Sequence, residues 1–140
     1  MAYEYIKEFE NRVPTQEYLS KAMTIEMKPL PQKEPLSAEV VNKEFAKDYN
    51  KAFSIYSGYR MDIFGVVIFK GLDVHGIPSF ELSDSKDGIC YALCCLHSEH
   101  EYGNIKEGDT IVISGNYLTV NEKYGVVLKN CTVKYKFKTL

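Results

Sequence analysis

"YRMDIFGVVIFKG", residues 59 to 71, decides the reading of this chain. It has the β-branched and aromatic content of a single long strand, yet Gly65 stands in its middle. Glycine weakens a strand interior unless the backbone has to bend or bulge there. The stretch therefore predicts a strand that curves, with Met61, Ile63 and Val67 facing inward and Arg60, Asp62, Phe64 and Val66 facing outward.

Four further strands are expected downstream: 77–83 ("IPSFELS"), 88–96 ("GICYALCCL"), 109–118 ("DTIVISGNYL") and 123–137 ("KYGVVLKNCTVKYKF"). The turn-rich stretches "GLDVHG", "DSKD", "HSEHEYGNIKEG" and "TVNE" separate them. Five short strands in about 80 residues suggest a small closed β-barrel.

Upstream, "SAEVVNKEFAKDYNKAFSIYSG" places Val41, Phe45, Ala52 and Tyr56 at helical intervals, with Val40, Tyr49 and Phe53 flanking that stripe. This predicts one amphipathic helix over 37–55, N-capped by Ser37 and ending near Gly58. "KPLPQKEPL" before it, with Pro29, Pro31 and Pro35, reads as an extended connector. Residues 1–28 carry two short apolar stripes interrupted by Pro14 and predict an irregular, partly helical arm. The expected organisation is an arm and Pro-rich connector over 1–36, then a domain over 37–140 whose leading helix occupies 37–58.

Composition narrows the function classes. The 140 residues carry 17 basic and 19 acidic side chains for a net charge of −2, so the whole molecule lacks the positive field of a strong nucleic-acid binder. No basic leader precedes an apolar run, and no run approaches the roughly 18 to 20 apolar residues of a membrane span. A cytoplasmic location is expected from that, and an extracytoplasmic one if a native leader has been removed. Cys90, Cys94, Cys95 and Cys131 form no zinc-ribbon or CxxC pattern and read as reduced, mostly buried thiols.

The same residues resemble the small OB-fold domains called tRNA anti-like. The likeness lies in the leading helix (Phe45, Asp48, Ala52, Tyr56, Gly58) and in Ile63-Phe64-Gly65-Val66-Val67 of the first strand. It continues in Phe80-Glu81-Leu82-Ser83-Asp84, in Lys106-Glu107-Gly108-Asp109-Thr110-Ile111 and in the closing Val126 to Cys131. It spans roughly 37–133. Asp48 stands where asparagine is expected, and the stretch between the third and fourth strands is too short for a full helix. The resemblance implies a five-stranded OB barrel, binding of single-stranded nucleic acid without catalysis, and no catalytic residues.

In OB folds the ligand crosses the outer face of strands two and three between the loops joining strands one to two and four to five. Here the first loop offers His75 and the second Lys123 and Tyr124, with Phe64 and Tyr117 expected to face outward. The tail "KNCTVKYKFKTL" alternates Lys134, Lys136 and Lys138 with Tyr135 and Phe137, placing cations on one face and rings on the other. Lysines on an edge strand also discourage edge-to-edge pairing, the plainer account of that alternation.

"CCLHSEHE" offers Cys94, His97 and His100 at spacings compatible with a metal, though without a distant second ligand pair. A strand end running into a polar loop explains it more simply. No phosphate-cradling glycine loop is present, and no cofactor is implied. The 11 tyrosines keep a second reading open, a protein-interaction or oligomerisation module, because tyrosine is enriched at interfaces.

Overall fold

The computed structural model describes residues 14–137. Helix α1 (Gln16–Thr24) opens it, N-capped by Thr15, whose side chain accepts from the Tyr18 amide. The first apolar stripe of the arm lies outside the described residues. The connector then touches the barrel twice through two short strands. β1 (Lys28–Pro29) and β2 (Leu36–Ser37) each pair in parallel with β3 (Tyr59–Leu72). Between them, Gln32 accepts from the Asp62 amide and donates to its carbonyl, both at 3.0 Å.

The single helix expected over 37–55 is two: α2 (Ala38–Lys47) and α3 (Tyr49–Tyr56). Asp48 is the reason. Its backbone is extended (φ −154°), and its carboxylate accepts from the Lys51 amide, so it closes one helix and N-caps the next. Ser37 occupies the N-cap position of α2 without a side-chain capping bond. Across the break the predicted stripe still faces inward, since Val41, Phe45, Ala52 and Tyr56 are all buried. Gly58 ends the segment with φ +84°, a left-handed conformation that favours glycine.

The barrel comprises β3, β4 (Pro78–Ser83), β5 (Ala92–Leu96), β6 (Thr110–Asn121) and β7 (Gly125–Lys136). The order β3-β4-β5-β7-β6 closes on itself because β6 also pairs with β3. β3 is long enough to serve both neighbours. Its first half (60–66) pairs with β6 and its second half (66–72) with β4, and Val66 is matched with both Thr110 and Ser83. Gly65 sits at that changeover. A Cβ there would lie 2.9 Å from the Ser83 carbonyl oxygen and 3.0 Å from Leu82 Cβ, closer than packing tolerates.

Met61, Ile63 and Val67 point into the core, joined by Phe80, Leu82, Ile111, Ile113, Tyr117 and Leu128. Phe45 closes one end, stacked on Tyr117 with ring centroids 5.5 Å apart. A 3₁₀ turn (Glu99–Asn104) bridges β5 and β6, and its Tyr102 stacks on Phe80 at 5.8 Å. Residues 88–91, expected to start the third strand, lie outside it. Among the described residues, no helix is long and apolar enough to cross a membrane.

Candidate nucleic-acid interface

Strand registers define the outer face. Phe69, Glu81, Leu93, Val127 and Thr119 are matched one to the next across β3, β4, β5, β7 and β6. Phe69 is 42% exposed and lies against Gly71, which leaves room for its ring. A second row runs through Ser79 and Cys95, which are buried rather than presented to solvent.

One end of this face is capped by the β3–β4 loop. Asp73 organises it: its carboxylate accepts from the amides of His75 (2.8 Å) and Ile77 (2.9 Å) and pairs with Lys129 Nζ at 3.8 Å. Both side chains of that pair are nearly enclosed, 9% and 12% exposed. Burial works against the Asp73 charge, but the two amides and the Lys129 ammonium outweigh it and hold its pKa below the usual range. Lys129 also donates to Cys95 Sγ at 3.4 Å. Held this way, the loop presents His75 to solvent together with Leu72 and Val74, the latter 90% exposed.

The other end is the β6–β7 loop. Asn121 accepts from the Tyr124 amide at 2.8 Å, and Gly125 completes the turn with φ +75°. Lys123 Nζ lies 5.1 Å from the centroid of the Tyr124 ring, so a cation and an aromatic surface occur together. His75, Lys123 and Tyr124 therefore flank one face from opposite ends. Phe64 lies elsewhere, half-buried on the β3–β6 side and matched with Val112.

Two expectations need correction. Tyr117 does not face outward: it is 1% exposed, its ring stacked on Phe45, because at this position the inward phase of β6 continues. The tail does not alternate strictly, since the register steps past Lys134 between Val112–Tyr135 and Ile113–Val133. That bulge lets Lys134 and Tyr135 line the same hollow, and both lysines already have carboxylate partners. Lys134 meets Asp62 at 3.1 Å and Lys136 meets Asp109 at 3.6 Å, while Tyr135 and Phe137 pack edge to face at 5.5 Å. Lys138 lies outside the described residues. At the spacing of Cys94, His97 and His100, which reads more simply as a strand end running into a polar loop, Cys94 is buried in the core whereas His97 and His100 are exposed, so these three do not converge. Among the described residues, no group of three His, Cys, Asp or Glu side chains is placed to hold a metal.

All four cysteines are free thiols, three of them buried. Burial, followed by the Glu81 carboxylate, pushes Cys90 up to about 12, and Cys94 is raised by its contact with Cys131 and by burial. Neutral thiols of this kind are poor nucleophiles.

The tRNA_anti-like family profile matches residues 2–133. The chain belongs to that family. Membership reaches further than the resemblance drawn from 37–133, taking in the arm and connector. Within that span α1, β1 and β2 are all bonded to the barrel. Among solved structures, a lipoprotein of Klebsiella pneumoniae subsp. pneumoniae, provisionally described as nucleic-acid-binding, is similar with a TM-score of 0.54 and 17% identity. The alignment covers 87% of this chain and 99% of that one. No curated protein matches the chain significantly.

Sequence reasoning passed over two features of this tRNA_anti-like domain. One is Asn116, fully buried in a polar network. The other is the group formed by Tyr18, Tyr49 and Phe53 around a cleft beside β6. The signal for the second was present, because Tyr49 and Phe53 are four residues apart and off the apolar stripe.

Proposed function

We propose that this chain is a non-enzymatic binding domain for single-stranded nucleic acid, which lies over the outer face of β4 and β5 between the β3–β4 and β6–β7 loops. The observation that carries the reading is Lys123 set over the Tyr124 ring at one end of that face. A ring able to stack on any base, next to an ammonium able to meet a phosphate, is the pairing such ligands use. Phe69 supplies a second exposed ring on the face and His75 a polar group at its far end. Family membership and the description of the Klebsiella protein support the same ligand class. In this reading Lys134, Lys136 and Lys138 are secondary contacts, the first two partly neutralised by Asp62 and Asp109.

With few free cations, affinity is expected to be modest and its salt dependence measurable but shallow, because the slope scales with the number of phosphates met. Titration of a labelled single-stranded oligonucleotide at two salt concentrations tests this. Lys123→Glu with Tyr124→Ala should remove binding, and unchanged affinity in that variant rejects the interface. A second reading, protein interaction, is favoured by Leu72 at the end of β3 and Val74 on the loop that carries His75, exposed at 61% and 90%. Salt-insensitive association in light scattering supports it, and Val74→Lys should then abolish the association.

A further inference from the structure

β6 pairs with β3 only as far as Asn116, where β3 begins, so beyond it Tyr117, Leu118 and Thr119 keep β7 on one side and border a cleft on the other. Helices α1 and α3 stand on either side and leave a cleft of about 380 Å³. That lies in the range of small-molecule sites, roughly 300–1,000 Å³. Its walls are aromatic. Tyr49 and Phe53 stack at 5.7 Å with their planes 19° apart, and Phe53 meets Tyr117 edge to face at 6.3 Å. Tyr18 forms a further side and is fixed there, its hydroxyl donating to the Tyr117 carbonyl and accepting from the Gly58 amide, both at 2.8 Å.

Two properties of the lining select the ligand. None of its ten residues carries a formal charge, so a phosphate finds no ionic partner in it and no carboxylate favours a cation over a neutral ring. Asn50, Thr15, Ser57 and Thr119 set amide and hydroxyl groups around the rings, the chemistry that reads the edge of a heterocycle. We infer that this cleft is a binding site for an uncharged planar heterocycle of nucleobase size, stacked against Phe53. Phe53 is 43% exposed although Tyr56 of the same helix is buried and Tyr49 half-buried, as a ring kept available for a ligand would be. The site is separate from the loop face of the proposed interface and does not depend on it.

The test is ligand-observed saturation-transfer NMR on the full chain with adenosine, guanosine, cytidine and uridine, which carry bases without phosphate. At least one should receive saturation, equally at low and high salt. Phe53→Ala should weaken binding about tenfold, the scale of one lost stacking contact. Phe53→Tyr keeps a stacking surface and should retain binding, while Lys123→Glu should leave it unchanged. Absence of transfer for all four nucleosides overturns the site. So does binding that survives Phe53→Ala, that is lost equally in Phe53→Tyr, or that disappears with Lys123→Glu. The last result would place the base on the loop face, while loss of oligonucleotide binding alone would leave the cleft standing.

Discussion

The Asn116 side chain of β6 accepts the Met27 backbone N–H at 3.0 Å and so fastens the connector to the barrel wall. The same carboxamide donates to the carbonyls of Ala22 and Ile25, and Arg60 adds a fourth contact at 3.3 Å. Three of the four contacts of this fully buried side chain are thus spent on holding residues 22–27 in place, and the fourth ties it to Arg60 of β3. Asn116→Ala would strand the Met27 amide and take a donor from the Ala22 carbonyl, while Ile25 keeps its bond from Asn130 Nδ2 at 2.8 Å, and a cost of about 2–3 kcal/mol is expected. Urea unfolding checks the loss. Limited proteolysis should show cleavage near residues 22–27 before the barrel itself is cut.

Gly65 admits a sharper prediction because its crowding is by backbone and Cβ atoms, which cannot rotate away. Gly65→Ala should destabilise by about 1–3 kcal/mol. Gly103, where an added Cβ would meet nothing within 4 Å, is the control, and Gly103→Ala should fall within about 0.5 kcal/mol of the parent. A chemical-denaturation series of the two variants separates crowding from any general effect of losing a glycine.

Gly65 and Asn116 mark what the sequence could and could not reveal. Strand alternation around Gly65 is local, so the bend, the inward set and the closing strand were legible from the residues alone. The Asp48 break was harder, because the apolar stripe continues through it and hides the change of helix. Asn116 was illegible: its partners lie 56 to 94 residues away in sequence, and nothing in "ISGNYL" marks one polar residue as buried. For the site, loop residues His75, Lys123 and Tyr124 could be placed by strand counting alone. Tyr117 and the tail could not, since a bulge or a continued inward phase reverses which face a side chain takes.

Stability should fall on the alkaline side. Burial keeps the Cys90 thiol neutral up to about 12 against an ordinary value of 9.0, and burial followed by the Glu44 carboxylate raises the Tyr56 phenol above its ordinary 10.0. In the unfolded chain both groups ionise at their ordinary values. The unfolded state therefore binds fewer protons at high pH, and stability present below about pH 9 is lost as pH rises towards the folded values. Urea midpoints should drop between pH 9 and 12, and Cys90→Ala should show a shallower decline. Equal slopes in the two proteins would remove Cys90 from the account.

The Lys129–Asp73 pair connects stability to the proposed interface. Asp73 holds the β3–β4 loop through two amides, and Lys129 on β7 answers its charge where water scarcely reaches. Lys129→Met leaves a carboxylate enclosed without its cation. The expected loss is about 2–3 kcal/mol, at or below the range for breaking a buried pair because the two amides remain. Asp73→Asn in the Lys129→Met background removes the stranded charge and should recover part of it. The lowered Asp73 pKa fixes the pH sign: its contribution is present above the ordinary carboxylate value of 3.8 and lost as pH falls below it. The acid-side decline of the parent should therefore be steeper than that of the double variant. If His75 and its loop take part in binding, Lys129→Met should also weaken oligonucleotide affinity at neutral pH, although Lys129 is enclosed and presents little charge to a ligand. Titration of the single and double variants with the same oligonucleotide decides this, since recovery in the double variant traces the loss to loop position and not to the missing cation.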